Sequence, residues 1–243
     1  MRKKYKVVIF DMDGTFLDSR GVGETPYEWA YEAFRTTLRH YGITLTIKEI
    51  DDLFLAPLHF EGEVGVRGVR GFCNRFGLDC EEFWARREQD VIEAKINAIR
   101  RGEITLCKGS EAVIKYLSKN AAWLAVVSDS QQECVDYALE HFGLTPYFKI
   151  WYGRQSELAS LAKRKPSPFY INRVLSELGL SSERGRESAV LVDDSPVGIL
   201  AAKRAGIDSV FIFRGGKAEE LRENWNCEPT FLVGGVEDLE GIL

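Results

Sequence analysis

The sequence predicts an α/β protein, a parallel sheet with helices on both faces, carrying an inserted all-helical domain. Three observations predict it. From residue 107 onward, short apolar runs alternate with helical stretches that stop at glycine, the pattern of strand–helix–strand units. The apolar runs Val7–Phe10, Ala121–Val127 and Ala189–Val192 are continuous rather than alternating, as strands buried on both faces require. Between the first run and residue 107 no strong strand candidate occurs.

In chain order, the first strand spans Tyr5 to Asp11. A first helix follows, with Ala30, Ala33, Phe34, Thr37, Leu38 and Tyr41 at helical spacing and Gly42 as its stop. Ile47–Leu55 reads as a second helix. Asp79 to Arg101 reads as a long one, N-capped by Asp79 and ended by Gly102. Between them Gly62, Gly65, Gly68 and Gly71 recur every third residue, which suggests a flexible loop or helix junction. The second half gives helix 110–118, strand 121–127, helix 131–142, strand 148–152, helix 167–178, strand 189–192, helix 196–205 and strand 209–213. The domains predicted are therefore an α/β core of residues 1–18 and 107–243, and a helical domain of residues 19–106. A structureless insertion that long is improbable.

The chain has 243 residues, 45% hydrophobic and 28% charged, with a net charge of −5. That is globular composition with room for a sizeable core, and the acidic balance argues against a general nucleic-acid binder. No apolar run approaches the ~20 residues of a membrane span, and Asp11 ends the first run too early for a secretory signal. The five cysteines, Cys73, Cys80, Cys107, Cys134 and Cys227, are dispersed, which fits reduced thiols in a cytoplasmic protein. His40, His59 and His141 are scattered and form no metal-binding spacing.

The chemistry lies at the strand ends. Val7–Phe10 runs into Asp11-Met12-Asp13-Gly14-Thr15, Ala121–Val127 into Ser128-Asp129-Ser130, and Ala189–Val192 into Asp193-Asp194. In an open α/β sheet, ligands bind beyond the carboxyl ends of the strands, so the three polar ends converge. Clustered carboxylates call for a hard divalent cation, most simply Mg²⁺. Gly14-Thr15 can turn backbone N–H groups toward an anion. Lys165, in Arg164-Lys-Pro-Ser-Pro168, would complete a phosphoryl clamp at this rim.

These motifs resemble the haloacid dehalogenase superfamily, specifically its phosphatase branch (phosphoglycolate phosphatase-like) with a helical cap after the first motif. Asp11–Thr15 is similar to the first motif, Ser128 to the second, Lys165 to the third, and Asp193-Asp194 followed by Ala201–Gly206 to the fourth. The resemblance covers essentially the whole Rossmann-like core. It implies that Asp11 is a nucleophile forming an aspartyl-phosphate, and that Asp13 is the general acid and base. It implies Mg²⁺ held by Asp11, the Asp13 carbonyl and Asp194, with Asp193 a possible indirect ligand. Ser128 and Lys165 would bind the transferring phosphoryl group, and Thr15 and Asp129 are further candidate substrate contacts. There is one departure: Gly198 stands where many members carry a further acidic residue.

The function expected is a Mg²⁺-dependent phosphatase of a small phosphomonoester, phosphoglycolate or a sugar phosphate. Alternatives are a sugar phosphomutase of the same superfamily and a catalytically silent phosphate-ester-binding protein. The partner expected is a small phosphorylated metabolite, with no nucleic acid and no membrane, in a monomer or homodimer. Arg67 and Arg70 either reach an anionic part of the substrate or belong to a solvated basic loop. A phosphonate-cleaving enzyme would use a cap lysine, and neither Lys48 nor Lys95 stands out in the sequence.

Overall fold

The computed structural model describes residues 5–22, 25–58, 63–120, 123–214 and 228–243. The core is a six-stranded sheet in which every neighbouring pair is parallel. Its strands are β1 (Val7–Phe10), β4 (Trp123–Gln131), β5 (Ile150–Arg154), β6 (Ala189–Asp193), β7 (Asp208–Ile212) and β8 (Phe231–Val233), in the order β5-β4-β1-β6-β7-β8. β1 is central. Its Phe10 is in register with Val126 of β4 and Val192 of β6, so Asp11, Ser128 and Asp193 emerge near one level. The Asp11 N–H still donates to Val192 O at 2.8 Å, which holds the residue on the strand axis as the chain leaves the sheet.

Alternation along β1 shows why the apolar runs are continuous. Val8 and Phe10 pack under helices α6 (Ser110–Asn120) and α7 (Gln132–His141). Val7 and Ile9 pack on the other face, under α8 (Phe169–Glu177) and α10 (Pro196–Ala205). Both faces are dry, so no position along the strand is free to be polar. A short helix, α9 (Glu183–Arg186), precedes β6.

Among its described residues the insertion is built of helices and the turns that join them. It contains α1 (Glu28–His40), α2 (Ile47–Ile50), a π-helical turn (Asp51–Leu55), α3 (Ala56–Leu58), α4 (Glu63–Phe76) and α5 (Cys80–Arg100). Phe34, Phe54, Phe72 and Phe83 form its own aromatic core, with Phe34 and Phe54 ring centroids 4.4 Å apart. The links on either side of the insertion, β2 (Leu17–Asp18) and β3 (Thr105–Leu106), pair antiparallel, so the chain leaves and re-enters the core side by side. Asp79 caps α5 by accepting from Glu82 N at 2.9 Å, and Gly102 follows at φ 72°, as the sequence predicts.

One expectation is corrected. The glycine-rich stretch is not a loop: from Glu63 onward it is α4. Gly68 serves close packing, since a Cβ there would lie 2.6 Å from Cβ of Pro57 in α3, whereas a Cβ on Gly71 would meet nothing within 4 Å. Glu61 and Gly62 lie outside the described residues. The N-cap of α10 is Ser195, which accepts from Gly198 N at 3.2 Å. β8 at the sheet edge was not foreseen, because three residues after a polar stretch carry little periodicity. His59, Ala121 and Cys227 lie outside the described residues. The other four cysteines are free thiols. No helix among the described residues is long and apolar enough to cross a membrane.

Candidate active site

Asp11 ends β1 and is 7% exposed. Burial raises its pKa well above the ordinary carboxylate range. Lys165 opposes that shift, while Asp193, Asp194 and Asp13 add to it. Lys165 answers this crowding directly: its Nζ donates to Asp11 Oδ1 at 2.5 Å and to Asp193 Oδ2 at 2.7 Å. Burial alone would favour a neutral amine, but the two carboxylates raise the lysine pKa and keep it charged. The Lys165 N–H donates to Asp129 Oδ1 at 3.0 Å, which fixes the loop from its other side. Ser128 is 1% exposed. Its Oγ accepts from Ser130 N at 3.1 Å, so its own proton is left to donate.

Asp11, Asp193 and Asp194 each offer an oxygen within 4.8 Å of the others. Burial, then the Asp193 charge, pushes the Asp194 pKa up to about 6. Three converging carboxylates at this spacing are a hard-cation donor set. Thr15 is fully buried, and its hydroxyl donates to Asp194 Oδ1 at 3.3 Å. It therefore orients an acidic group and does not line the cavity. Gly14 stands at φ 81°, where a Cβ would overlap the Asp194 carboxylate. The Gly14 N–H donates to Leu17 O at 2.7 Å and the Thr15 N–H to Met12 O at 3.3 Å. The sequence expectation that these two amides face an anion is thus replaced. The turn closes on itself, and glycine is required for the close approach of Asp194.

The departure at Gly198 has a physical reason. The Asp193 carboxylate accepts from Ser195 N and Oγ at 2.8 and 2.6 Å and occupies the space where a Cβ on residue 198 would sit. Asp193 and Gly198 are a matched pair. Gly198→Ala should therefore displace Asp193, weaken its hold on Lys165 and lower the melting temperature by the equivalent of about 1–3 kcal/mol. Thermal unfolding checks this, and an unchanged midpoint would contradict the pairing.

Asp13 carries the feature least visible in the sequence. Its carboxylate is held by Lys95 of α5, by Ser19 and by Ser130, whose Oγ donates to Asp13 Oδ2 at 2.6 Å. Lys95 also donates to Ser130 Oγ at 2.7 Å. Its side chain is only 2% exposed, and its Nζ lies 5.8 Å from the Trp29 ring centroid. Burial would raise the Asp13 pKa, but Lys95 and the three hydrogen bonds outweigh it and hold the group below its ordinary value. Lys48, by contrast, is an exposed partner of Asp52 at 2.5 Å. Only Lys95 of the two reaches the centre, across 82 residues of sequence.

These groups share one cavity of about 530 Å³ between the sheet and the helical insertion. Asp11, Asp13, Ser128, Asp129, Lys165 and Asp194 line it from the sheet side. Tyr27, Phe34, Leu58, Trp84, Arg87 and Lys95 line it from the insertion. Arg67 and Arg70 do not reach it. Both are exposed on α4, and Arg70 pairs with Glu81 at 3.9 Å. The solvated-face alternative applies to them.

The fold and this constellation define a hydrolase that works at the carboxyl edge of a parallel sheet under a helical cap. The sequence profile of the haloacid dehalogenase-like hydrolases matches residues 8–212. The chain belongs to that family. It is 24% identical over 215 residues to a fructose-1-phosphate phosphatase, YqaB, from Escherichia coli strain K12, covering 86% of this chain and 97% of that one. A predicted phosphoglycolate phosphatase from Haemophilus somnus 129pt shares its fold with a TM-score of 0.70 at 19% identity, over 100% of this chain and 99% of that one. CbbY from Rhodobacter sphaeroides, solved in complex with phosphate, gives a TM-score of 0.68 at 20% identity, over 97% and 96% of the two chains.

Proposed function

We propose that the protein is a Mg²⁺-dependent phosphatase of small phosphomonoesters that works through an aspartyl-phosphate on Asp11. The observation that carries this is the junction of two features at one strand end. A buried lysine holds Asp11 at 2.5 Å, and three carboxylates converge within 4.8 Å. Asp11, Asp194 and the Asp13 carbonyl would hold Mg²⁺, which when bound would neutralise charge on the phosphoryl oxygens. Asp193 remains with Lys165 and Ser195.

Asp11 attacks phosphorus through its free carboxylate oxygen, and Lys165 and Ser128 stabilise the phosphoryl oxygens. Asp13 gives a proton to the leaving alcohol, for which the negative charge of the arriving phosphoryl group must raise its pKa from the lowered value of the free site, and then takes one from the water that hydrolyses the intermediate. We place the core at residues 1–18 and 107–243 and the cap at 19–106. The cap excludes water and selects the leaving group. The names of the relatives, a sugar-phosphate phosphatase and a phosphoglycolate phosphatase, are consistent with this substrate range.

The test is release of inorganic phosphate from phosphoglycolate, sugar phosphates, nucleotides, pyrophosphate and a chromogenic ester, with Mg²⁺ and with EDTA. Release that stops in EDTA and returns with Mg²⁺ supports the reading. Release unaffected by EDTA contradicts the metal. No release, with isomer interconversion of sugar phosphates, moves the assignment to a phosphomutase. A second expectation follows from Asp194, whose pKa burial raises to about 6. Its proton competes with the cation, so Mg²⁺ affinity should fall as pH drops through about 6. Calorimetric titration at several pH values checks this, and a flat affinity would contradict it.

A further inference from the structure

We propose that the wall of the cavity formed by Arg87, Arg154 and Arg164 is a second anion subsite, so that the substrate carries a carboxylate or a further phosphate besides the phosphoryl group that is transferred. This deepens the phosphatase reading and rests on it. The three arginines come from separate elements: Arg87 from α5, Arg154 from the end of β5, and Arg164 from the residue before Lys165. All three line the cavity that holds Asp11.

Their charges are incompletely matched. Glu88, 2% exposed, is paired with Arg154 at 2.6 Å and with Arg87 at 2.5 Å. Asp129 lies 3.6 Å from Arg164 and also accepts from the Lys165 N–H. Among the described residues, three guanidinium groups thus face two carboxylates, leaving one positive charge in a largely buried wall. Burial works against the charge on Arg87, Glu88 supports it, and Arg154 and Arg164 repel it.

Their donors are also incompletely used. Among the described residues, Nε of Arg87 is buried with no hydrogen-bond partner, and Nε of Arg164 faces only Asp129 Oδ2, at 3.6 Å and beyond hydrogen-bond distance. Buried donors of this kind find partners in the great majority of proteins, and one orphan beside one weakly paired donor on the same cavity wall points to an anionic acceptor supplied from outside. Arg154 is held differently. Its Nη1 donates to Gln155 O at 3.0 Å and its Nη2 pairs with Glu88, so it frames the subsite while Arg87 and Arg164 supply the open donors. The guanidinium carbon of Arg87 lies 5.3 Å from the Trp84 ring centroid, and that of Arg154 lies 5.6 Å from it. The ring packs the two side chains in place. A planar fork so held suits a carboxylate or phosphate.

The experiment uses matched esters on the wild-type enzyme. One pair is 2-phosphoglycolate against 2-hydroxyethyl phosphate; the other is fructose 1,6-bisphosphate against fructose 1-phosphate. The expected result is a kcat/KM at least about tenfold higher for the charged member of one pair, the size of one charge-assisted hydrogen bond. Which pair shows it identifies carboxylate or phosphate. The ratio should fall toward one in Arg87→Met and Arg164→Met. A ratio of one or less in both pairs for the wild type, or a ratio untouched in both variants, overturns the subsite while leaving the phosphatase reading intact. Calorimetric binding of the same four esters to Asp11→Asn gives the converse. Preferred binding of a charged member, with no wild-type turnover of any ester, upholds the subsite and overturns the phosphatase. Equal binding within both pairs, or none at all, overturns the subsite.

Discussion

Asp11→Asn abolishes phosphate release, with a loss of at least about 10⁴-fold in kcat, and leaves the fold intact. The amide keeps the shape of the side chain but has no anionic oxygen to attack phosphorus. Its effect on stability follows from the site's electrostatics. Burial and the neighbouring carboxylates raise the Asp11 pKa above its ordinary 3.8. A carboxyl group raised in the folded state contributes stability while protonated and loses that contribution as pH rises. At neutral pH, without metal, the neutral Asn variant should therefore melt no lower than the wild type. Lys165 keeps one partner, Asp193 at 2.7 Å. Stopped activity with an unchanged or raised melting temperature separates loss of chemistry from loss of fold. Wild-type turnover would remove Asp11 from the mechanism.

Lys95→Met has the second largest effect, a fall in kcat of about 10²–10⁴-fold, the range of general acid–base assistance. Met fills a similar volume but has no charge, so Asp13 becomes a buried carboxylate held only by Ser19 and Ser130. Lys95 is the main force lowering the Asp13 pKa, so its removal raises that pKa. For hydrolysis of the intermediate, where Asp13 must be unprotonated to take a proton from water, the acidic limb of the pH profile should then move to higher pH. A purely structural role for Lys95 would lower the melting temperature and leave that limb in place. Lys95 stands on the cap and Asp13 on the core, so this contact also makes the acid–base group complete only when the cap lies over the sheet.

What the sequence revealed and what it hid divide along a physical line. That Asp11, Asp13, Ser128, Lys165 and Asp194 come together was legible because each lies at or just beyond the end of a buried apolar strand or precedes a proline, and backbone topology alone brings strand ends together. The helical cap was legible from periodicity and caps, down to Asp79 and Gly102. Lys95 and Arg87 were hidden because they sit on a helix with many charged residues, where solvent exposure is the default reading. Only the tertiary packing of α5 over the sheet buries them. The glycines of α4 read as a loop because Gly68 serves the approach of Pro57, a contact with no local signature. Gly198 read as a missing acid, and its meaning lay in Asp193, whose side chain fills the vacated space.

The central claim is that the phosphoryl group passes through Asp11. The most direct measurement quenches the enzyme during Mg²⁺-supported turnover of its best ester, reduces it with borohydride and sequences the peptides by mass spectrometry. An acyl phosphate on Asp11 is reduced to homoserine, so homoserine at position 11, dependent on substrate and Mg²⁺ and missing from Asp11→Asn, is the predicted result. Rapid phosphate release with position 11 unmodified, or with homoserine at another aspartate, would contradict the account.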